Sequence, residues 1–277
     1  MINVLGVTIT EHEVMVQPDR IRALQEIPPP KNISELRGWI GALRYMANHI
    51  PKLSLILANF DERTGNVPAT RGKVTALEWT AELVEDFKTA QKAVSNPEKL
   101  YHFKPSFKTY LETDSSENGY GSILFQTKPE TTIEELGPDS KKVYPLAYYS
   151  QKWKTQRQRA YDPCKKELRA LKESVRKFKE FLMGTSFTVL TDNMGVLGLL
   201  KKMQQLKKPS PDFLILRWLN ESSSYPIEQV IHRTTHEVFM TDGLSRFRMD
   251  GHGRRQRGPG SLAGKSFRNN QRRRGEI

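Results

Sequence analysis

The sequence predicts an α/β domain over residues 101–246, preceded by a small, mainly helical region over residues 19–100. Three observations carry this. Residues Thr109 to Phe125, TYLETDSSENGYGSILF, read as two strands of alternating and β-branched residues joined at Asn118 and Gly119. Beyond them, strand-like and helix-like patterns are interspersed as far as Arg246. Before residue 100, apolar residues instead recur at helical spacing between prolines. A hairpin over residues 1–18 and a disordered basic tail over residues 247–277 complete the expected organisation.

Taken in order, Asn3–Thr10 and Glu13–Gln17 read as two strands around a tight turn. Two strands alone are marginal in water, so a partner upstream is expected, as in a piece of a longer protein. Asp19 opens a short helix with Ile21, Leu24 and Ile27 on one face, stopped by Pro28, Pro29 and Pro30. Asn32 or Ser34 can cap the next helix, whose apolar face holds Leu36, Trp39, Ile40, Leu43 and Met46. Residues 61–75 are polar and read as a surface loop, and a helical stripe of Leu83, Phe87, Ala90 and Val94 follows.

In the second region, a loop over residues 127–142 leads to a third strand at Tyr144–Ser150. Pro163 starts a long helix to Leu182 with Leu168, Leu171, Val175, Phe178 and Leu182 as its buried stripe, and Gly184 ends it. A fourth strand, Phe187–Thr191, runs into Asp192 and a short helix. Another helix spans Pro211–Asn220, a fifth strand Ile227–His232, and a last helix about Val238–Arg246. The Gly, Arg, Ser and Asn-rich remainder cannot bury enough apolar surface to fold.

Composition narrows the function classes. The 277 residues contain no run of 18 apolar positions and no signal-like start, so no membrane association and no secretion are expected. A single cysteine, Cys164, excludes an internal disulfide and a Cys-rich zinc module, and fits an intracellular, cytoplasmic setting. The net charge of +13 points to a polyanionic partner. From Arg246 onward ten Arg and Lys face two acids, so the tail holds +8 and the rest +5. This end is expected to bind nucleic acid loosely, or to be a linker to a further domain.

Asp114 lies on the first of the five strands, level with the sheet, where a carboxylate is costly to desolvate without a cation. Three further acids stand at the ends or centres of later elements: Glu167, Asp192 and Asp242, with successive gaps of 53, 25 and 50 residues. If the strands lie side by side and the helices pack over them, all four can meet at one sheet edge. Carboxylates gathered without matching Lys or Arg either stay partly protonated or hold hard cations. Two magnesium ions about 3.5–4 Å apart would use the bridging oxygens of such a tetrad to cut a phosphodiester, with no nucleophilic side chain. No Ser, His, Asp or Cys, His arrangement competes.

The blocks LETDSSENGYGSILFQ, YPLAYYSQKW, AYDPCKKELRALKESVRKFKEFLMG, FTVLTDNMGVLGLL, RWLNESSSYPIEQV and TDGLSR are, in that order, similar to the ribonuclease H domain of gypsy-type LTR retrotransposons and related retroviruses. VLGVTIT, QPDRIRALQEIPPPKNISELRGWIGALRYMANHIPKLS and LEWTAELVEDFKTAQKAV resemble the end of the palm and the thumb of the same reverse transcriptases. The resemblance covers nearly all of residues 3–246. It implies a ribonuclease H-like, five-stranded mixed sheet flanked by helices, behind a thumb subdomain. It also implies that Asp114, Glu167, Asp192 and Asp242 converge as the metal-binding tetrad for two Mg²⁺ ions, with Mn²⁺ as a substitute. The implied activity is cleavage of the RNA strand of an RNA–DNA hybrid duplex, with the rest of a reverse transcriptase polyprotein as partner.

Departures from the family pattern set expectations too. No adjacent Asp pair occurs, so the Tyr-x-Asp-Asp polymerase centre is missing and no DNA synthesis is expected from this chain alone. Val238 stands where the family has Asn, and THEV replaces its Gly-rich turn before Asp242. His232, ten residues before Asp242, either stands where the resemblance implies a mobile His that assists product release or simply ends the fifth strand; His236 competes for the role. Trp39, Trp79, Trp153 and Trp218 are read as packing residues rather than base-stacking platforms. Lys201, Lys202, Lys207 and Lys208 offer either a solvated basic face or phosphate contacts. The competing reading is a degenerate retroelement fragment that binds nucleic acid without cutting. A DDE-type integrase fits less well, because Glu167 precedes Asp192 and Asp242.

Overall fold

Leu5 and Gly6 both adopt positive φ, 50° and 83°, and so break the first predicted strand in two. In place of one strand the chain forms β1 (Ile2–Val4) and β2 (Val7–Ile9), followed by β3 (Glu13–Val16). Alternation of Val, Thr and Ile masked a left-handed turn that glycine makes cheap. A computed structural model describes residues 1–65, 74–137, 140–204 and 212–234, all within the compact unit Met1–Phe247.

The helical region follows its caps. After α1 (Pro18–Gln25), α2 spans Ile33–Arg44, and its N-cap Asn32 accepts a 2.9 Å hydrogen bond from the Glu35 amide. A one-turn 3₁₀ helix, Ala47–His49, leads to α3 (Leu53–Ile56) and α4 (Ala58–Gly65). The last corrects the expected loop from residue 61: buried Leu57 and Phe60 hold the first turns, and Asp61 pairs with Arg44 at 2.7 Å. Thr80 caps α5 (Ala81–Ser95). Leu36, Trp39, Leu43, Leu53, Phe60 and Phe87 pack one core, with Trp39 stacked on Phe87 and edge-on to Phe60. β4 (Leu100–Tyr101) then pairs with β3, giving a four-stranded sheet ordered β1-β2-β3-β4. The hairpin's partner is thus a strand 85 residues downstream of Val16, counted to Tyr101.

The second sheet is built from β5 (Lys108–Ser115), β6 (Gly119–Thr127) and β7 (Tyr144–Lys152), all antiparallel neighbours. The intervening loop carries a 3₁₀ turn, Ile133–Glu135, closed by a Thr132 and Glu135 capping box. Next come α6 (Gln156–Arg159), α7 (Pro163–Lys177) and α8 (Lys179–Leu182); the expected single helix breaks at Phe178. Asp162 caps α7 and Pro163 opens it. β8 (Phe187–Thr191), α9 (Met194–Gln204), α10 (Phe213–Ser223) and β9 (Ile227–His232) complete the described chain.

The strand order is β7-β6-β5-β8-β9, with β5, β8 and β9 parallel. This is the five-stranded mixed sheet flanked by helices that the resemblance implied. Its α7 side buries Leu111, Leu124, Leu168, Leu171, Val189 and Trp218. Its other side buries Tyr110, Ile123, Phe125, Tyr148 and Leu190. Trp39, Trp153 and Trp218 are buried packing residues, as expected.

Candidate acidic site at the sheet edge

The parallel pairing of β5 and β8 fixes where the site lies. Glu112 stands opposite Leu190, so Asp114 and Asp192, two residues further on, stand at the carboxyl ends of neighbouring strands. That is the edge at which open α/β sheets place their ligands. β9 runs parallel on the far side of β8, bringing His232 opposite Thr191. The His232 ring Nε2 lies 3.1 Å from the Asp192 carbonyl oxygen, and the Arg233 amide donates to Thr191 O at 2.9 Å.

Glu167 reaches the same edge from α7. It is only 2% exposed, and Thr113 Oγ1 donates a 2.6 Å hydrogen bond to its Oε1. Burial raises the Glu167 pKa to about 7; the charges of Asp114 and Asp192 raise it too, while the Thr113 and Ser115 hydroxyls work against the shift. Burial also raises the Asp192 pKa, with Asp114 adding to the rise and His232 opposing it. The three acids therefore share one electrostatic environment.

They do not share one face of β5. Thr113 and Ser115 meet Glu167, so strand alternation turns Asp114 to the side away from α7. There Lys52 Nζ lies 3.4 Å from Asp114 Oδ2. Among the described residues, no three His, Cys, Asp or Glu side chains are gathered closely enough to hold a metal ion. The donor chemistry nonetheless suits a divalent cation, because hard carboxylate oxygens repel one another across the edge. Asp242, His236 and Val238 lie outside the described residues, as do Lys207 and Lys208 and the basic tail.

Lys52, Thr113 and Ser115 were not among the residues singled out from sequence. Period-two alternation around Asp114 could have assigned Thr113 and Ser115 to the helix side. Nothing local marks Lys52, which comes from the helical region 62 residues earlier. A cavity of about 650 Å³ lies at the opposite end of the sheet, lined among others by Lys108, Thr109, Thr188 and Glu228.

Residues 79–189 match the family described as an RNase H-like domain found in reverse transcriptase. Transposon Tf2-3 polyprotein of Schizosaccharomyces pombe is 28% identical over 196 residues, which is 70% of this chain and 13% of that protein. Transposon Tf2-4 polyprotein of the same yeast matches equally. The chain thus spans about an eighth of the curated relatives it matches. In fold it resembles the foamy viral protease-reverse transcriptase in complex with an RNA/DNA hybrid, with a TM-score of 0.65 and 15% identity over 95% of this chain and 32% of that one. The form called dRH, in complex with double-stranded DNA, gives a TM-score of 0.65 and 16% identity over 84% of this chain and 38% of that one. Residues 79–189 are thus similar to the RNase H-like domain found in reverse transcriptase, and the chain is similar to a stretch of the retroelement polyproteins.

Proposed function

We propose that this chain supplies the RNA-cutting step of a retroelement reverse transcriptase, acting as a divalent-metal-dependent endonuclease on RNA–DNA hybrids inside the cell. The observation that carries the reading is the placement of Asp114 and Asp192 at the carboxyl ends of neighbouring parallel strands of an RNase H-like sheet, with buried Glu167 held to the same edge by Thr113. Asp114, Glu167, Asp192 and Asp242 would hold the ions, and two Mg²⁺, or Mn²⁺ in their place, would supply Lewis acidity at the scissile phosphate.

The chain's own residues do the rest. Thr113 and Ser115 fix the rotamer of Glu167, so that its carboxylate keeps one position through turnover. His232, anchored on the Asp192 carbonyl, stands at the rim and would help the cut strand leave. A relative in fold was captured on an RNA/DNA hybrid, which supports the same substrate class here. Discrimination would rest on duplex shape and on 2′-hydroxyl contacts along one strand. The helical region and the basic tail would add grip on the duplex.

The decisive experiment is incubation of the full chain with an RNA–DNA hybrid and Mg²⁺. Asp114→Asn and Glu167→Gln should abolish cleavage while leaving hybrid binding largely intact. Undiminished cutting by either variant would refute the mechanism.

A second reading, a nucleic-acid-binding module that no longer cuts, is favoured by the Lys52 contact on Asp114. Calorimetric titration with Mn²⁺ separates the two. Binding that disappears in Asp114→Asn supports the enzyme, and no binding supports the module.

A further inference from the structure

Lys52 is one of two non-glycine residues with positive φ among the described residues, at φ 54° and ψ 21°. A left-handed lysine is strained and persists only where its surroundings over-determine it. The surroundings are visible. Lys52 caps α3, its carbonyl accepting from the Leu55 amide at 2.8 Å. The Ser54 amide donates to Ser150 Oγ on β7 at 3.0 Å, which seats the turn on the sheet.

The route of the side chain is equally specific. Gly121 is the register partner of Asp114 on β6, and a Cβ there would stand 3.4 Å from Lys52 Cγ and 3.7 Å from its Cε. The lysine stem therefore crosses the strand at the one pairing position beside Asp114 that lacks a side chain. Its ammonium ends 3.4 Å from Asp114 Oδ2, with the two side chains only 12% and 21% exposed. Among the described residues, no other Lys or Arg ion pair reaches Asp114, Glu167 or Asp192.

We infer that Lys52 is a built-in counter-ion for Asp114, occupying the carboxylate that a divalent cation would otherwise take, and that it holds the metal affinity of the site down. This rests on the reading of the acids as a metal site. A lone carboxylate at this edge would repel Glu167 and Asp192; the ammonium relieves that repulsion when no ion is bound. An arriving cation competes with the ammonium for the carboxylate, since the two positive charges repel one another at this distance. The helical region thus contributes a charge to the site as well as grip.

The test is calorimetric titration of the full chain with Mn²⁺ alone, without nucleic acid. Lys52→Gln and Lys52→Gly should each bind Mn²⁺ roughly tenfold tighter than the parent, about 1.4 kcal/mol. The glycine variant accepts the left-handed backbone without strain and guards against misfolding. Lys52→Arg, which keeps the charge, should stay close to the parent. Parent-like affinity in both Gln and Gly variants, alongside binding that Asp114→Asn abolishes, overturns the counter-ion while the metal site stands. If neither the parent nor the two Lys52 variants bind Mn²⁺, both readings fall.

Discussion

Thr113 Oγ1 and Glu167 Oε1 are joined by a 2.6 Å hydrogen bond between the central strand and the start of α7, with both residues buried. The bond ties the sheet to the helix that carries a candidate ligand. Thr113→Val keeps the shape and removes the donor, leaving a buried carboxylate short of one partner. At pH 8 the substitution is expected to cost about 1–3 kcal/mol of unfolding free energy in urea. At pH 5 the carboxyl is protonated and the loss should be clearly smaller. Equal stability of the two proteins at pH 8 would show that the bond fixes nothing.

Glu167 itself sets a pH dependence in the presence of a chelator. Its folded pKa is raised, to about 7, above the ordinary value of 4.5, chiefly by burial. The folded state therefore binds more protons than the unfolded chain between those values. The associated stability is fully present below about pH 4.5 and is lost as pH rises through about 7. Glu167→Gln removes this dependence. Compared with the parent, the variant should gain up to about 3 kcal/mol between pH 5 and pH 8. A constant difference across that range would contradict the assigned burial.

Much of this site was legible in the sequence because its parts obey local rules. Strand alternation and a turn at Asn118 and Gly119 located Asp114, and Pro163 located the helix holding Glu167. The observed strands Phe187–Thr191 and Ile227–His232 coincide with the expected ones, each being a short apolar run between turn residues. What escaped was non-local. Whether β4 would close the first sheet depends on a register set across the whole helical region. Lys52 likewise acquires its meaning only when α3 is seated over Gly121. The turn at Leu5 and Gly6 was missed for the opposite reason: a local β pattern outweighed one glycine.

The seating of α3 depends on Gly119. A Cβ there would collide with Gln151 O and with Leu55 Cδ2, and would stand 2.8 Å from Lys152 Cα. Backbone atoms cannot step aside cheaply, so Gly119→Ala should destabilise by about 1–3 kcal/mol. Gly38 provides the contrast. It sits on the exposed side of α2, with nothing within 4 Å of a built Cβ. Gly38→Ala should therefore stabilise by about 0.5–1 kcal/mol through helix propensity. Thermal unfolding of the two variants should shift in opposite directions, and parallel shifts would discount the packing argument.

Phe60 tests whether the helical core and the second sheet unfold together. Its ring is fully buried against Trp39 and Trp79. Contacts that tie this region to the sheet side include Ser54 N to Ser150 Oγ, Lys152 Nζ to Ala58 O at 3.0 Å, and the Lys52–Asp114 and Arg159–Glu62 pairs, each at 3.4 Å. Phe60→Ala should cost about 3–5 kcal/mol. Hydrogen exchange shows where that cost is felt. If the contacts couple the two cores, amides in β6 and α7 lose protection together with those in α2, although neither element touches the new cavity. Loss of protection confined to α2, α4 and α5 would mean that the helical region opens alone. Lys52 would then leave Asp114 whenever that region opened, and the counter-ion would be present for only part of the time.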